Sequence, residues 1–214
     1  MEYQTGLLLL TAASIGFFHT LMGPDHYLPF IAISKARSWS IRRTISFTTL
    51  CGVLHVLSSV FLGLIGIGVG VALNKLEFVE AYRGNVAAWI LIIFGAAYML
   101  WGIYRSKYFK QHQHPEKGPV KKLTPWILMI IFLLGPCEPL IPILMFPAAN
   151  NSVLALTLVT LTFALVTVGT MLTIVILSFY GIRVLPKMNM EKYVHAIAGF
   201  TILICGLGIQ FLGI

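Results

Sequence analysis

Five ionisable side chains, His19, Asp25, His26, His55 and Glu138, fall inside long stretches that otherwise carry almost no charge, and Cys137 stands beside the last of them. Imidazole nitrogen, carboxylate oxygen and thiolate sulfur form a mixed donor set that suits first-row transition metals and suits magnesium or calcium poorly. Two ionised carboxylates would give such a site a charge of about −2, which favours a cation and repels an oxyanion. His19 precedes His26 by seven residues. On an unbroken helix the two share a face but stand about 10 Å apart, so either a break draws them together or His19 serves an entry step. Cys51, His55, Ser58 and Ser59 share one helix face by their spacing. The bland alternatives are a carboxyl paired with a histidine to hold helices together, and a packed histidine satisfied by a serine.

The charged residues sit at two helix-breaking sequences, Gly23-Pro24-Asp25-His26 and Gly135-Pro136-Cys137-Glu138. Proline lacks a backbone donor and clashes with the carbonyl four residues back, so Pro24 and Pro136 interrupt whatever helix contains them. Pro29 follows the first break, and Pro139, Pro142 and Pro147 follow the second. The surrounding text is that of an integral membrane protein: of 214 residues 58% are hydrophobic and 10% charged, and the mean hydropathy is +0.89. Nearly charge-free stretches at 7–33, 45–73, 86–104, 124–149, 152–181 and 194–214 predict six spans, since a helix crosses a bilayer in about 20 apolar residues. The opening MEYQTGLLLL has no basic stretch and reads as entry to the first span and not as a cleaved signal.

The chain is written twice. At an offset of 112, Gly23-Pro24 lies over Gly135-Pro136, Asp25 over Cys137, His26 over Glu138 and Thr48 over Thr160; at 111, Glu80, Tyr82, Ala87, Gly95 and Gly102 meet Glu191, Tyr193, Ala198, Gly206 and Gly213. The stripe matching His55 is Thr167, Thr170 and Thr173, which either lines the same cavity or bonds its own helix carbonyls. Three spans per copy make the second copy inverted in the membrane. Inverted repeats with interrupted helices at matching positions point to a transporter whose site lies near the midplane. The expected fold is all-α, six transmembrane helices in two inverted three-helix repeats (1–104 and 124–214) joined by a His/Lys-rich linker (105–123).

The net charge of +8 follows a membrane pattern, not a nucleic-acid one. Lys35, Arg37, Arg42 and Arg43 mark the first loop, Arg105 to Lys122 the third, and Arg183, Lys187 and Lys192 the fifth. In the second loop Lys75 and Arg83 balance Glu77 and Glu80. Basic loops stay cytoplasmic, so both termini are expected outside a cell (inner) membrane. The expected partners are the lipid bilayer and a metal-ion substrate, with no nucleic acid. His195 is expected at the cytoplasmic mouth of the last span, and His112 and His114 form a short pair in the linker, either solvated or a weak metal catch. Cys51, Cys137 and Cys205 make no CxxC pair, so a disulfide framework is not expected.

GFFHTLMGPDH resembles the His…Asp-His motif in an early span of nickel/cobalt transporters and UreH-like membrane proteins, with five residues between the first His and the Asp where that motif has four. GPCEPLIP is similar to the proline-flanked cysteine segment of the DsbD/CcdA transmembrane family, grouped with those transporters in the LysE-type superfamily. The resemblance implies a six-span inverted-repeat fold and a metal-recognition role for His19, Asp25 and His26. The expected function is secondary transport of a divalent transition-metal cation (the Ni/Co/Zn/Fe class) through His19, Asp25, His26, His55, Cys137 and Glu138. No enzymatic activity and no permanently bound cofactor are expected. Because these ligands must shed protons to bind metal, proton coupling is expected as well. The alternatives are a TauE/SafE-like sulfite exporter and a CcdA-like transmembrane thiol relay.

Overall fold

The computed structural model describes residues 2–70, 73–108, 120–137, 139–149, 152–184 and 191–213. Eight α-helices form there: α1 (Glu2–Met22), α2 (Leu28–Ala36), α3 (Ile41–Val69), α4 (Leu73–Tyr108), α5 (Val120–Leu134), α6 (Leu140–Ala149), α7 (Val153–Val184) and α8 (Val194–Leu212). Short 3₁₀ turns at Pro24–His26 and Glu191–Tyr193 complete the described elements, and no strand occurs among them. Five helices, α1, α3, α4, α7 and α8, contain segments long and apolar enough to cross a membrane. Their outward faces carry large apolar residues such as Leu10, Phe61, Leu165 and Leu177. A helix that is oily all round has its solvent in lipid.

The two proline-bearing stretches behave as their sequence dictates. The expected first span divides into α1 and α2 at Gly23–Tyr27. The stretch expected as a fourth span divides into helices of 15 and 10 residues, neither of which alone reaches the length a bilayer needs. The expected third span also changes: α4 begins at Leu73 and runs 36 residues, so Glu80 and Arg83, assigned to a loop from their charge, lie on the helix. Their charges neutralise one another there. Arg83 Nη1 donates to Glu80 Oε1 at 2.7 Å, three residues apart on one face.

Helix ends are set by ordinary chemistry. Ser40 caps α3 by accepting from the Arg43 N–H at 3.3 Å, and Gly70 closes it in the left-handed region at φ 70°. In the interior α1 packs on α7, α2 on α8, α3 between α5 and α7, and α6 on α7. The tightest seam joins α4 and α8, which run antiparallel. A Cβ added to Gly95 would stand 2.4 Å from Leu203 N, and one added to Gly199 2.2 Å from Met99 N. Only glycine lets the two backbones come this close, which is how helices associate where lipid supplies no hydrophobic drive.

Candidate metal centre

At the first break, α1 ends with Gly23 N–H donating to His19 O at 3.0 Å. Gly23 is extended (φ −89°, ψ 92°) and Pro24 opens the turn that carries Asp25 and His26. Unwinding leaves carbonyls without helical donors, and the Tyr27 hydroxyl takes up that of Leu21 at 3.2 Å. The turn folds the His26 ring back over Gly23, where an added Cβ would lie 2.6 Å from His26 Nδ1. Glycine is therefore required at this position for a steric reason.

The folding-back of His26 closes the 10 Å gap an intact helix would impose. The His19 and His26 rings meet edge to face with centroids 4.8 Å apart, and His55, from the middle of α3, meets His26 at 5.0 Å. One ligand atom from each of the three histidines lies within 4.8 Å of the others. The ring atoms His19 Nε2, His26 Nε2, His55 Nδ1 and His55 Nε2 are buried without a hydrogen-bond partner. Buried polar atoms normally have partners, and a convergent group of unpartnered imidazole nitrogens could hold a metal ion.

Asp25 stands behind this trio. Its Oδ1 lies 3.2 Å from His26 Nδ1, and the Gly23 carbonyl lies 3.1 Å from the same nitrogen. With two acceptors facing it, Nδ1 carries the proton, which leaves the lone pair on the buried, unpartnered Nε2. A carboxylate–imidazole pair of this kind orients a metal ligand and raises its basicity.

A cavity of about 580 Å³ adjoins the cluster. Both breaks line it, through Gly23, Asp25 and His26 on one side and Gly135, Pro136 and Pro139 on the other. It extends past Ala81 and Asn85 near the start of α4 to Gln210 and Gly213 at the end of α8. Gly135 presses on the trio from the second break, where an added Cβ would lie 3.2 Å from His55 Nδ1.

Cys137 is the other expected site residue that the structure describes. It is fully buried among Ala12, Val56, Leu140 and Phe163, and its backbone N–H donates to Ser59 Oγ. Glu138, His112 and His114 lie outside the described residues. Thr167 is fully buried against Gly16 of α1, and Thr173 bonds its own helix at Gly169 O. His195 accepts or donates at 2.9 Å with the Tyr98 hydroxyl, which also receives Arg37 Nε at 3.1 Å. The feature that sequence reasoning missed is the Arg83–Glu80 pair. Its signal was present as two opposite charges at helical spacing, hidden because charge was taken to end the helix.

Scans against protein-family models, curated proteins and solved structures find no match to this chain.

Proposed function

We propose that this chain is a secondary transporter that carries a divalent first-row transition-metal cation through the His19–His26–His55 cluster. The observation that carries the proposal is the convergence of three imidazoles from two helices and one break, with one ligand nitrogen of each within 4.8 Å of the others and four of the six ring nitrogens buried without a hydrogen-bond partner. Tetrahedral coordination at the usual metal–nitrogen bond of about 2.0–2.1 Å spaces ligand atoms about 3.3 Å apart. The cluster is thus assembled but loose, and closes by about 1.5 Å at its widest. Three protein ligands leave a coordination position open, which suits a cargo that must leave again. Imidazole favours nickel, cobalt, zinc or iron over magnesium and calcium. The oriented carboxylate of Asp25 supports the same class.

Six spans in two inverted repeats, with α5 and α6 as the fourth, are part of this proposal, as is kinship with the LysE-type transporters. The packing supports it. Gly95 against Leu203 and Gly206 against Ile92 are the same contact exchanged between copies at the offset of 111. The pairing of α1 with α7 and of α5 with α3 exchanges in the same way. Basic first, third and fifth loops then lie in the cytoplasm, and the cavity faces the opposite side, where α4 begins and α8 ends.

Proteoliposomes test the proposal. Flux of Ni²⁺, Co²⁺ or Zn²⁺ is expected, abolished in His26→Ala and His55→Ala. Wild-type vesicles that flux none of these metals, or that flux sulfite without responding to metal, overturn it.

A further inference from the structure

An intact helix through the second break would join Cys137 N–H to Leu133 O, four residues back. Gly135–Pro136 removes that bond, and two other helices take up the severed ends. Cys137 N–H donates 3.1 Å to Ser59 Oγ of α3. Arg83 of α4 donates Nη2 to Leu133 O at 2.9 Å and to Ser58 Oγ at 2.8 Å, while its Nη1 is held by Glu80 at 2.7 Å. Glu80 is fully buried, so this guanidinium is fixed from one side and spends its remaining fork on the break and on α3. The next residue, Gly84, admits Pro136 so closely that an added Cβ would lie 2.7 Å from its ring. From there the contact passes to Gly135 and on to His55 Nδ1.

We infer that Arg83 is a positioning residue of the metal centre: by joining Leu133 O to Ser58 it holds the unwound segment against His55 and so sets the spacing of the histidine cluster. The inference rests on the metal-transport proposal for its consequence, but the clamp itself is independent of metal. Planar, forked donation is what the site uses. A lysine would keep the charge beside Glu80 and could not span the same acceptors.

The test uses the full chain in detergent, in a Cys51→Ala/Cys205→Ala background that leaves Cys137 as its one thiol. Two readouts are taken, the rate of Cys137 alkylation by a small maleimide and Co²⁺ affinity with its visible absorption spectrum. Arg83→Gln is expected to speed alkylation about 10-fold or more and to weaken Co²⁺ binding about 10-fold with a changed spectrum, the scale of lost outer-shell support. Arg83→Lys is expected to restore thermal stability while leaving both defects largely in place. Ser59→Ala, which removes only the acceptor of Cys137 N–H, is expected to speed alkylation and serves where Arg83→Gln does not fold. Unchanged alkylation in the folded variants overturns the clamp, as does full rescue by lysine. Faster alkylation with unaltered Co²⁺ affinity and spectrum overturns the link to the cluster. A wild-type protein that binds no Co²⁺ overturns metal transport, and alkylation still decides the clamp.

Discussion

Asp25→Asn separates a carboxylate that orients His26 from one that binds the metal itself. Asparagine keeps the shape and an acceptor oxygen 3.2 Å from His26 Nδ1 but loses the charge. The Gly23 carbonyl, 3.1 Å from the same nitrogen, keeps the proton there, so His26 retains its tautomer and its free Nε2. What is lost is the difference between a charge-assisted hydrogen bond, about 1.5–3 kcal/mol, and a neutral one, about 0.5–1.5 kcal/mol. That difference of roughly 1–1.5 kcal/mol corresponds to about 10-fold in affinity, at the lower end of the 10–100-fold typical of a metal's outer shell. Isothermal titration of the purified protein with Zn²⁺ or Co²⁺, beside His26→Ala, measures it. Affinity unchanged in Asp25→Asn would refute the orienting role. A loss as complete as that of His26→Ala would make Asp25 a direct ligand and refute its position behind His26.

Other outcomes follow from the packing. Gly135→Ala places a methyl 3.2 Å from His55 Nδ1 and 3.3 Å from Ile131 O; a shift of a few tenths of an ångström is expected to weaken metal binding several-fold while thermal unfolding moves little, and a large loss of stability with normal affinity would contradict it. Gly199→Ala sets a methyl 2.2 Å from backbone Met99 N and is expected to cost about 3 kcal/mol or more, at the top of the overpacking range. Gly208→Ala, with nothing within 4 Å, is expected to be neutral or slightly stabilising in the same melting experiment. Metal affinity is expected to fall from about pH 8 to about pH 5.5, because a proton competes with the metal for His26 Nε2 beside the Asp25 carboxylate; titrations at both ends check this, and a flat profile would argue against ligation by His26.

The two breaks were legible because proline acts locally, whatever surrounds it. So was the candidacy of His19, His26 and His55, since ionisable groups are rare in oily text. Their convergence was not legible. Seven residues along a helix separate His19 from His26, and only the unwound path at Gly23–Pro24 brings the rings to 4.8 Å, a turn whose direction depends on Tyr27 and on the neighbouring helices. Cys137 was grouped with the ligands because it adjoins the break, but on unwound chain adjacent residues serve different surroundings, and it packs instead beside Val56 and Phe163. Arg83 and Glu80 were read as a loop because each is costly in lipid alone, and as a pair they are not. The 36 residues of α4 also exceed any window bounded by charge, so its start was placed too late.

The glycine seam between α4 and α8 has a mechanical consequence. Backbones locked this closely cannot slide past one another without colliding, so the pair behaves as a stiff spine. Any rearrangement at the two breaks therefore takes place against α4 and α8 moving as one body.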